Sequence, residues 1–439
     1  MFQTPYNVYF ITEPSLSFKI NRLPGFRAIL IAATSCILPL ALAACGGGAS
    51  SGAPAAAVAG PVSTPSPAPD QTPIVVGDRV DLGKLIFNDT NLSEPRGTAC
   101  VNCHQPNTGF ASNNGSLTGV ALGSTPDSMG LRKPMNNSYS GLVPKFSFTT
   151  DDAGATIAMG GLFWDGRADT PALQALGPLL NPLEMNNASR KAVVDKIAAS
   201  RYAPLFKQEF GAGVFDDTDF AFTQIGVAVE AFERAKLQPF TSKFDAMVRG
   251  QVTLTVPEAR GLAMFQYESK GNCSTCHALD PISDNPEDSL FTDFTYKNTG
   301  VPRNKLLPRN ADPAFFDLGL CGPERTPPIL PAALAAGITI DDFCGKFRVP
   351  SLRNVAERTS FMHNGVFTDL TEVVRFYSRR NVGTVPDDLP PQYQRNVERK
   401  IAPFNRNAHA GPAMTDAEIG EVVAFLRTLS DGYQPPVAK

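Results

Sequence analysis

Apolar residues recur at helical spacing in several separate stretches of this chain, and strict alternation of apolar and polar residues is scarce. Residues 81–89, DLGKLIFND, predict a short helix that Asp81 can cap. Thr170-Pro171 puts a capping side chain before a proline at the first helical position, and the apolar run ALQALGPLL follows. Residues 221–236, AFTQIGVAVEAFERAK, predict a longer amphipathic helix. After Leu254 the pattern starts again, with a helix at EARGLAMFQY and a capped one at MTDAEIGEVVAFLRTL. Within HNGVFTDLTEVVRFY, Leu370, Val373, Val374 and Tyr377 stand at i, i+3, i+4 and i+7, so they share a helix face and Tyr377 points inward. The predicted class is mainly α, and the repeated order of helix, long loops and helix divides the chain into segments 76–245 and 246–439.

Length and composition agree with two segments that each hold a core, since 43% of the 439 residues are apolar. A formal charge of -3 argues against a broad nucleic-acid footprint. The start of the chain sets a compartment. RLPGFRAILIAATSCILPLALAAC has arginines before an apolar run that ends in small residues at a cysteine, as an export signal does. Its end, Leu42–Cys45, resembles the bacterial lipoprotein box, so residues 1–44 are assigned to a signal and Cys45 to a lipid anchor. Gly46 stands where an aspartate would favour retention at the inner membrane. The expected location is therefore the Gram-negative periplasm, tethered to the outer membrane. Residues 45–75 form the tether, because its stretch 46–73 lacks the large apolar residues a core needs.

The chemistry lies in the cysteines and histidines. GTACVNCHQPNTGF contains Cys100, Cys103 and His104, and GNCSTCHALD repeats the spacing with Cys273, Cys276 and His277. Half of the 4 histidines thus follow a C-x-x-C pair directly. Two thiols at this spacing can add across the vinyl groups of one haem while the adjacent histidine reaches its iron. A lone C-x-x-C would also suit a redox dithiol or half of a zinc site. The repeated histidine makes two covalent haems c the economical expectation, with His104 and His277 as iron ligands. Long loops suit a helical chain that must wrap cofactors. Cys321 and Cys344 remain, and in an oxidising compartment they are expected to pair; buried free thiols are the alternative.

Four stretches carry a family resemblance: LGKLIFNDTNLSEPRGTACVNCH, GGLFWDGRADTPALQALGPLLNPLEM, FTDFTYKNTGVP and FRVPSLRNVAERTSFMHNGVFTDLTEVVRFY. In this order around both motifs, they resemble the bacterial dihaem cytochrome c peroxidase and MauG family over about residues 80–429. The resemblance implies two cytochrome c-like domains whose haems face a shared interface. It implies Glu184 as the acid–base catalyst, Gln174 as a pocket hydrogen-bonding group, and Trp164 as the aromatic between the haems. Read alone, Glu184 would be an exposed acid at a helix start and Trp164 a core aromatic. Peroxidases of the family carry a histidine in the loop after the first motif, and no histidine lies between His104 and Trp164 here. In that respect the chain looks like MauG-type members, whose reactive haem stays open. Tyr377, 14 residues after His363, stands where the peroxidases carry an axial methionine and MauG an axial tyrosine. It is the expected metal ligand, with His363 beside the haem and Met362 and Met414 as rivals. The family also holds an interdomain calcium through an asparagine side chain and carbonyls. In LRKPMNNSY, Arg132 or Lys133 stands where that asparagine is expected, and Asn136 serves only if the loop is shifted.

The leading expectation is a peroxidase that reduces hydrogen peroxide at the first haem, with electrons arriving through the second from a small cytochrome c or copper protein. A MauG-like oxidase is the nearest competitor; it would hold two oxidising equivalents across both haems and modify residues of a protein client. A dihaem electron carrier without catalysis is the third, and it needs both irons six-coordinate.

Overall fold

Seven of the helices start where a side chain accepts from the free amides of the first turn: Asp78, Thr170, Ser189, Asp217, Ser242, Asp369 and Thr415. Among the described residues there are ten: α1 (Arg79–Phe87), α2 (Cys100–Cys103), α3 (Pro171–Leu180), α4 (Arg190–Ala198), α5 (Ala203–Phe210), α6 (Thr218–Lys236), α7 (Lys243–Val248), α8 (Val256–Gln266), α9 (Leu370–Arg379) and α10 (Asp416–Arg427). The structure is a computed structural model that describes residues 72–330, 334, 337–380, 388–407 and 409–435. The expected signal, Cys45 and the tether up to residue 71 lie outside the described residues. No helix among the described residues is long and apolar enough to cross a membrane.

The caps refine the expected boundaries. Asp78, not Asp81, caps α1, accepting from the Val80 and Asp81 amides, while the Asp81 side chain reaches back to the Asp78 amide as a capping box. Asp217 caps α6 and starts it earlier than residue 221. Thr170 caps α3 as its sequence suggests, accepting from the Leu173 amide at 3.2 Å.

Two large apolar cores follow in chain order, beside a smaller cluster of Ala158, Tyr296, Leu320 and Phe343. The first joins Leu82, Ile86, Phe206, Ile225 and Val229 from α1, α5 and α6; the second joins Phe265, Val374, Ile419, Val422 and Phe425 from α8, α9 and α10 with Phe291 from the loop between α8 and α9. The first ends at Leu237 and the second begins at Phe244. Both are built on one crossing. Gly83 of α1 lies against the Ala228 carbonyl of α6, and Gly261 of α8 lies against the Glu421 carbonyl of α10. A Cβ at either position would collide with backbone, so the sequence places glycine where the helices approach most closely.

Strands are few and short. β1 (Ser147–Thr150) and β2 (Thr156–Met159) form an antiparallel hairpin, and β3 (Tyr296–Lys297) pairs antiparallel with β4 (Phe347–Arg348). A bridge from Met159 to Thr295 ties the hairpin to β3. Two further links cross the chain. Cys321 and Cys344 form a disulfide, with Cα atoms 5.0 Å apart. Arg353 and Asp245, both fully buried, meet at 2.9 Å, and the guanidinium also donates to the Ser289 and Pro286 carbonyls.

Candidate active site: two cavities and a shared wall

Cys100, Cys103 and His104 open into a cavity of about 1610 Å³, its mouth included. The His104 Nδ1 stands 2.8 Å from the Phe110 carbonyl, and a carbonyl can only accept. Nδ1 therefore carries the proton, and Nε2 keeps its lone pair. Burial pulls the His104 pKa down to about 4, so the ring is neutral, as iron ligation requires. Burial likewise pushes the thiols of Cys100 and Cys103 up to about 12.

The turn after α3 brings a carboxylate to this cavity. Pro178 has no N–H for the Gln174 carbonyl, and α3 ends at Leu180. Residues 181–187 then fold back: Asn187 donates to the Leu92 and Leu179 carbonyls, and the Glu184 carbonyl accepts from the Ser124 amide at 2.7 Å. Glu184 is held half-buried on the cavity wall, its Oε1 accepting from Asn181 Nδ2 at 3.0 Å. It is thus not the exposed helix-start acid that its local sequence suggests. Burial raises its pKa to about 7; Arg167 opposes the rise and Glu324 adds to it, and both line the cavity. Gln174 lines the cavity as well, and His104 is the one histidine among its lining residues.

A second cavity, about 1450 Å³ with its mouth, is lined by Cys273, Cys276, His277 and Tyr377. The His277 Nδ1 stands 3.0 Å from the Phe291 carbonyl, which repeats the orientation of His104. Tyr377 and Val373, one helical turn apart on α9, both face this space. Burial raises the Tyr377 pKa to about 12, and a hydrogen bond with Thr299 opposes the rise. Of the rivals, Met362 lines the cavity, whereas Met414 is buried in the second core. His363 lines it too, stacked on Phe347 at 3.7 Å between ring centroids. The fourth histidine, His409, is exposed and lines neither cavity.

Lys133, Met135, Asn136, Trp164, Arg348 and Pro350 line both cavities and so form a common wall. The Trp164 indole donates to the Lys133 carbonyl at 2.8 Å, and its carbonyl accepts from the Arg348 amide at 2.9 Å. Trp164 also lies edge-on to His363, with centroids 6.5 Å apart. It is both the rigidly packed aromatic of its local reading and the one between the cavities. Beside this wall the loop LRKPMNNSY holds a fixed cation: Arg132 donates to Asp317 through Nε and Nη2 and to Asp165 through Nη1, each at 2.7 Å. The Asn136 Oδ1 already accepts from the Ser138 amide at 2.6 Å.

A family model described as di-haem cytochrome c peroxidase matches residues 77–253. The methylamine utilization protein MauG of Paracoccus denitrificans is 35% identical over 364 residues, covering 81% of this chain and 89% of that protein. The chain belongs to the dihaem cytochrome c peroxidase and MauG family. The cytochrome c551 peroxidase of Nitrosomonas europaea is 25% identical, with 82% of this chain and 81% of that protein covered. Among solved structures, the diheme peroxidase BthA of Burkholderia thailandensis matches with a TM-score of 0.73 at 40% identity, covering 82% of this chain and 88% of that one. A tyrosine-to-methionine variant of BthA matches with the same TM-score. As a member of this dihaem family, the protein is a peroxidase-like oxidoreductase whose cofactors are haems c.

The residues present suit that cofactor beyond the two motifs. Lys133, Arg348 and Arg358 line the cavities, and no carboxylate pairs with any of them among the described residues. Burial pushes the Lys133 ammonium well below its ordinary range and lowers Arg358 to about 10. The Arg358 Nε is also left without a partner. Unpaired buried cations are costly, and the two propionates of a haem are the anions that would compensate them. These cations were not among the expected site residues. The sequence offers only isolated basic residues, more than 200 positions apart in the case of Lys133 and Arg348, with nothing to show that they meet.

Proposed function

We propose that the protein reduces hydrogen peroxide to water in the first cavity, with electrons supplied through the second. Cys100, Cys103 and His104 would hold a haem, which would supply the iron chemistry for peroxide reduction. Glu184 takes the proton from one peroxide oxygen and delivers it to the other, so that one oxygen leaves as water. Gln174 orients the bound molecule by hydrogen bonding. Trp164, in contact with both cavities, carries electrons from the second to the first. The observation that supports this most is the half-buried Glu184 carboxylate beside a cavity whose only lining histidine is His104. With no second histidine to occupy the iron, the site is open before any reduction.

A small cytochrome c or copper protein is the proposed electron donor. A MauG-like reading, in which a client protein gives up the electrons, is favoured by Tyr377. Its phenolate would help hold the second haem as an anionic ligand, and an anionic oxygen favours oxidised iron. The haems are proposed to be attached through both cysteine pairs. The chain is proposed to act in the periplasm, anchored at Cys45, as segments 76–245 and 246–439 on a tether of residues 45–75. Arg132 takes the bridging role that an interdomain calcium would otherwise fill. Replacing Glu184 by glutamine tests the main assignment. Stopped-flow reaction of the holoprotein with peroxide is expected to slow by about 10²–10⁴-fold, the usual contribution of a general acid–base group. Equal rates would remove Glu184 from the reaction.

A further inference from the structure

Tyr139 takes no part in the steps above, yet three observations single it out. Its buried side chain lines the first cavity. Its phenol donates to both carboxylate oxygens of Asp431, at 2.9 and 2.8 Å. Its backbone sits at φ +64°, a left-handed conformation that residues other than glycine rarely adopt and that concentrates at functional positions. Asp431 is 292 positions further along the chain and half-buried. Its carboxylate also accepts from Asn354 Nδ2 at 2.8 Å and from the Thr241 amide at 3.0 Å, so it is fixed in place beside the phenol.

We propose that Tyr139 is a redox-active residue that gives one electron to the first cavity while its phenolic proton moves to Asp431. The phenol O–H bond breaks, a new O–H bond forms on the Asp431 carboxylate, and one electron leaves the ring. The products are a neutral tyrosyl radical and a neutral carboxylic acid. The oxidant is hydrogen peroxide, H2O2 + 2 e⁻ + 2 H⁺ → 2 H2O, and a haem held by Cys100, Cys103 and His104 would pass on the electrons and supply the second one. Tyr139 supplies one of the two electrons, and an external one-electron donor restores it as the proton returns. This rests on the first cavity being the place where peroxide is reduced.

The surroundings explain why proton and electron leave together. The Arg353 guanidinium faces the Tyr139 ring at 5.0 Å from its centroid. Loss of an electron alone would leave a cationic ring against that cation and would abolish the attraction between them. Burial, with Arg353 opposing, raises the Tyr139 pKa, so the starting species is the phenol and not the phenolate. The other buried phenols lack one requirement each. Tyr202 donates to Asp89 at 2.6 Å but lines neither cavity. Tyr296 donates to the Gly160 carbonyl at 2.7 Å, which has no basic site for the proton. Trp164 leads from the first cavity to the second, whereas Tyr139 and Asp431 lead toward the exposed residues Thr241 and Gly432. The first cavity thereby has an electron path that bypasses the second.

The test is freeze-quench electron paramagnetic resonance of the holoprotein mixed with one equivalent of hydrogen peroxide, without an electron donor. Peroxide consumption is measured in the same samples. Wild-type protein is expected to give a radical near the free-electron g value whose hyperfine structure collapses when its tyrosines are ring-deuterated. The signal is expected to be lost in Tyr139→Phe, kept in Tyr202→Phe, and to form more slowly in Asp431→Asn. The isotope-labelled wild type needs no variant to fold. A radical unaffected by tyrosine deuteration, or one that persists in Tyr139→Phe, overturns the proposal while peroxide reduction stands. Absence of peroxide consumption in wild type refutes the peroxide assignment itself, and the relay with it.

Discussion

If Glu184 accepts the peroxide proton, the reaction must follow the ionisation of that carboxyl. Burial sets its pKa at about 7, against opposition from Arg167 and from the Asn181 hydrogen bond. A raised carboxyl is protonated below its pKa and then cannot act as a base. The first-turnover rate is therefore expected to rise with pH and to level off above about pH 8. At about pH 7 roughly half the molecules carry the carboxylate; at about pH 5 roughly one in a hundred does, a loss of about fiftyfold against pH 7. Replacing Glu324 by glutamine removes a negative charge that raises this pKa, so the midpoint should move to lower pH. Replacing Glu184 by glutamine should flatten this limb and lower the plateau by about 3–5 kcal/mol in barrier height, the equivalent of about 10²–10⁴-fold. Stopped-flow absorbance against pH, with peroxide below saturation, measures all three. A profile that is flat for wild type, or one that keeps its midpoint in Glu184→Gln, would refute the assignment.

Three further outcomes are expected. Tyr377→Met should raise the reduction potential of the second haem, because a neutral, softer ligand replaces an anion that stabilises oxidised iron; an unchanged spectroelectrochemical midpoint would leave Tyr377 as a packing residue. Gly261→Ala should destabilise the holoprotein by about 1–3 kcal/mol in chemical denaturation, since the added methyl meets the Glu421 carbonyl and α8 and α10 must separate. Arg353→Met should cost about 3–5 kcal/mol because it strands the buried Asp245 carboxylate, and adding Asp245→Asn should recover part of that loss.

Much of this was legible because the chemistry is local in sequence. Each C-x-x-C-H motif sets its histidine beside its cysteines, and each cavity is lined by one motif. The Thr170-Pro171 helix start and the α9 face bearing Tyr377 follow from near neighbours alone. The cap of α1 was misplaced because Asp78 and Asp81 can each accept an amide, and only the capping box assigns them different parts. Glu184 shows the limit of local reading. Its placement depends on a turn tied down by Asn187 and Ser124, and the family resemblance supplied what the local sequence could not. What stayed hidden is what distant segments build together: the wall that sets Arg348 against Trp164, the unpaired cations around it, and the Tyr139–Asp431 pair.

The most direct test of the central claim uses fully oxidised holoprotein, untreated by any reductant, mixed with one equivalent of hydrogen peroxide. Because His104 is the only histidine lining the first cavity, peroxide is expected to be consumed at once, with spectral changes complete in a single turnover. Peroxide that survives until an electron is supplied beforehand would mean that another ligand closes the first site, and would contradict the open peroxide-reducing centre.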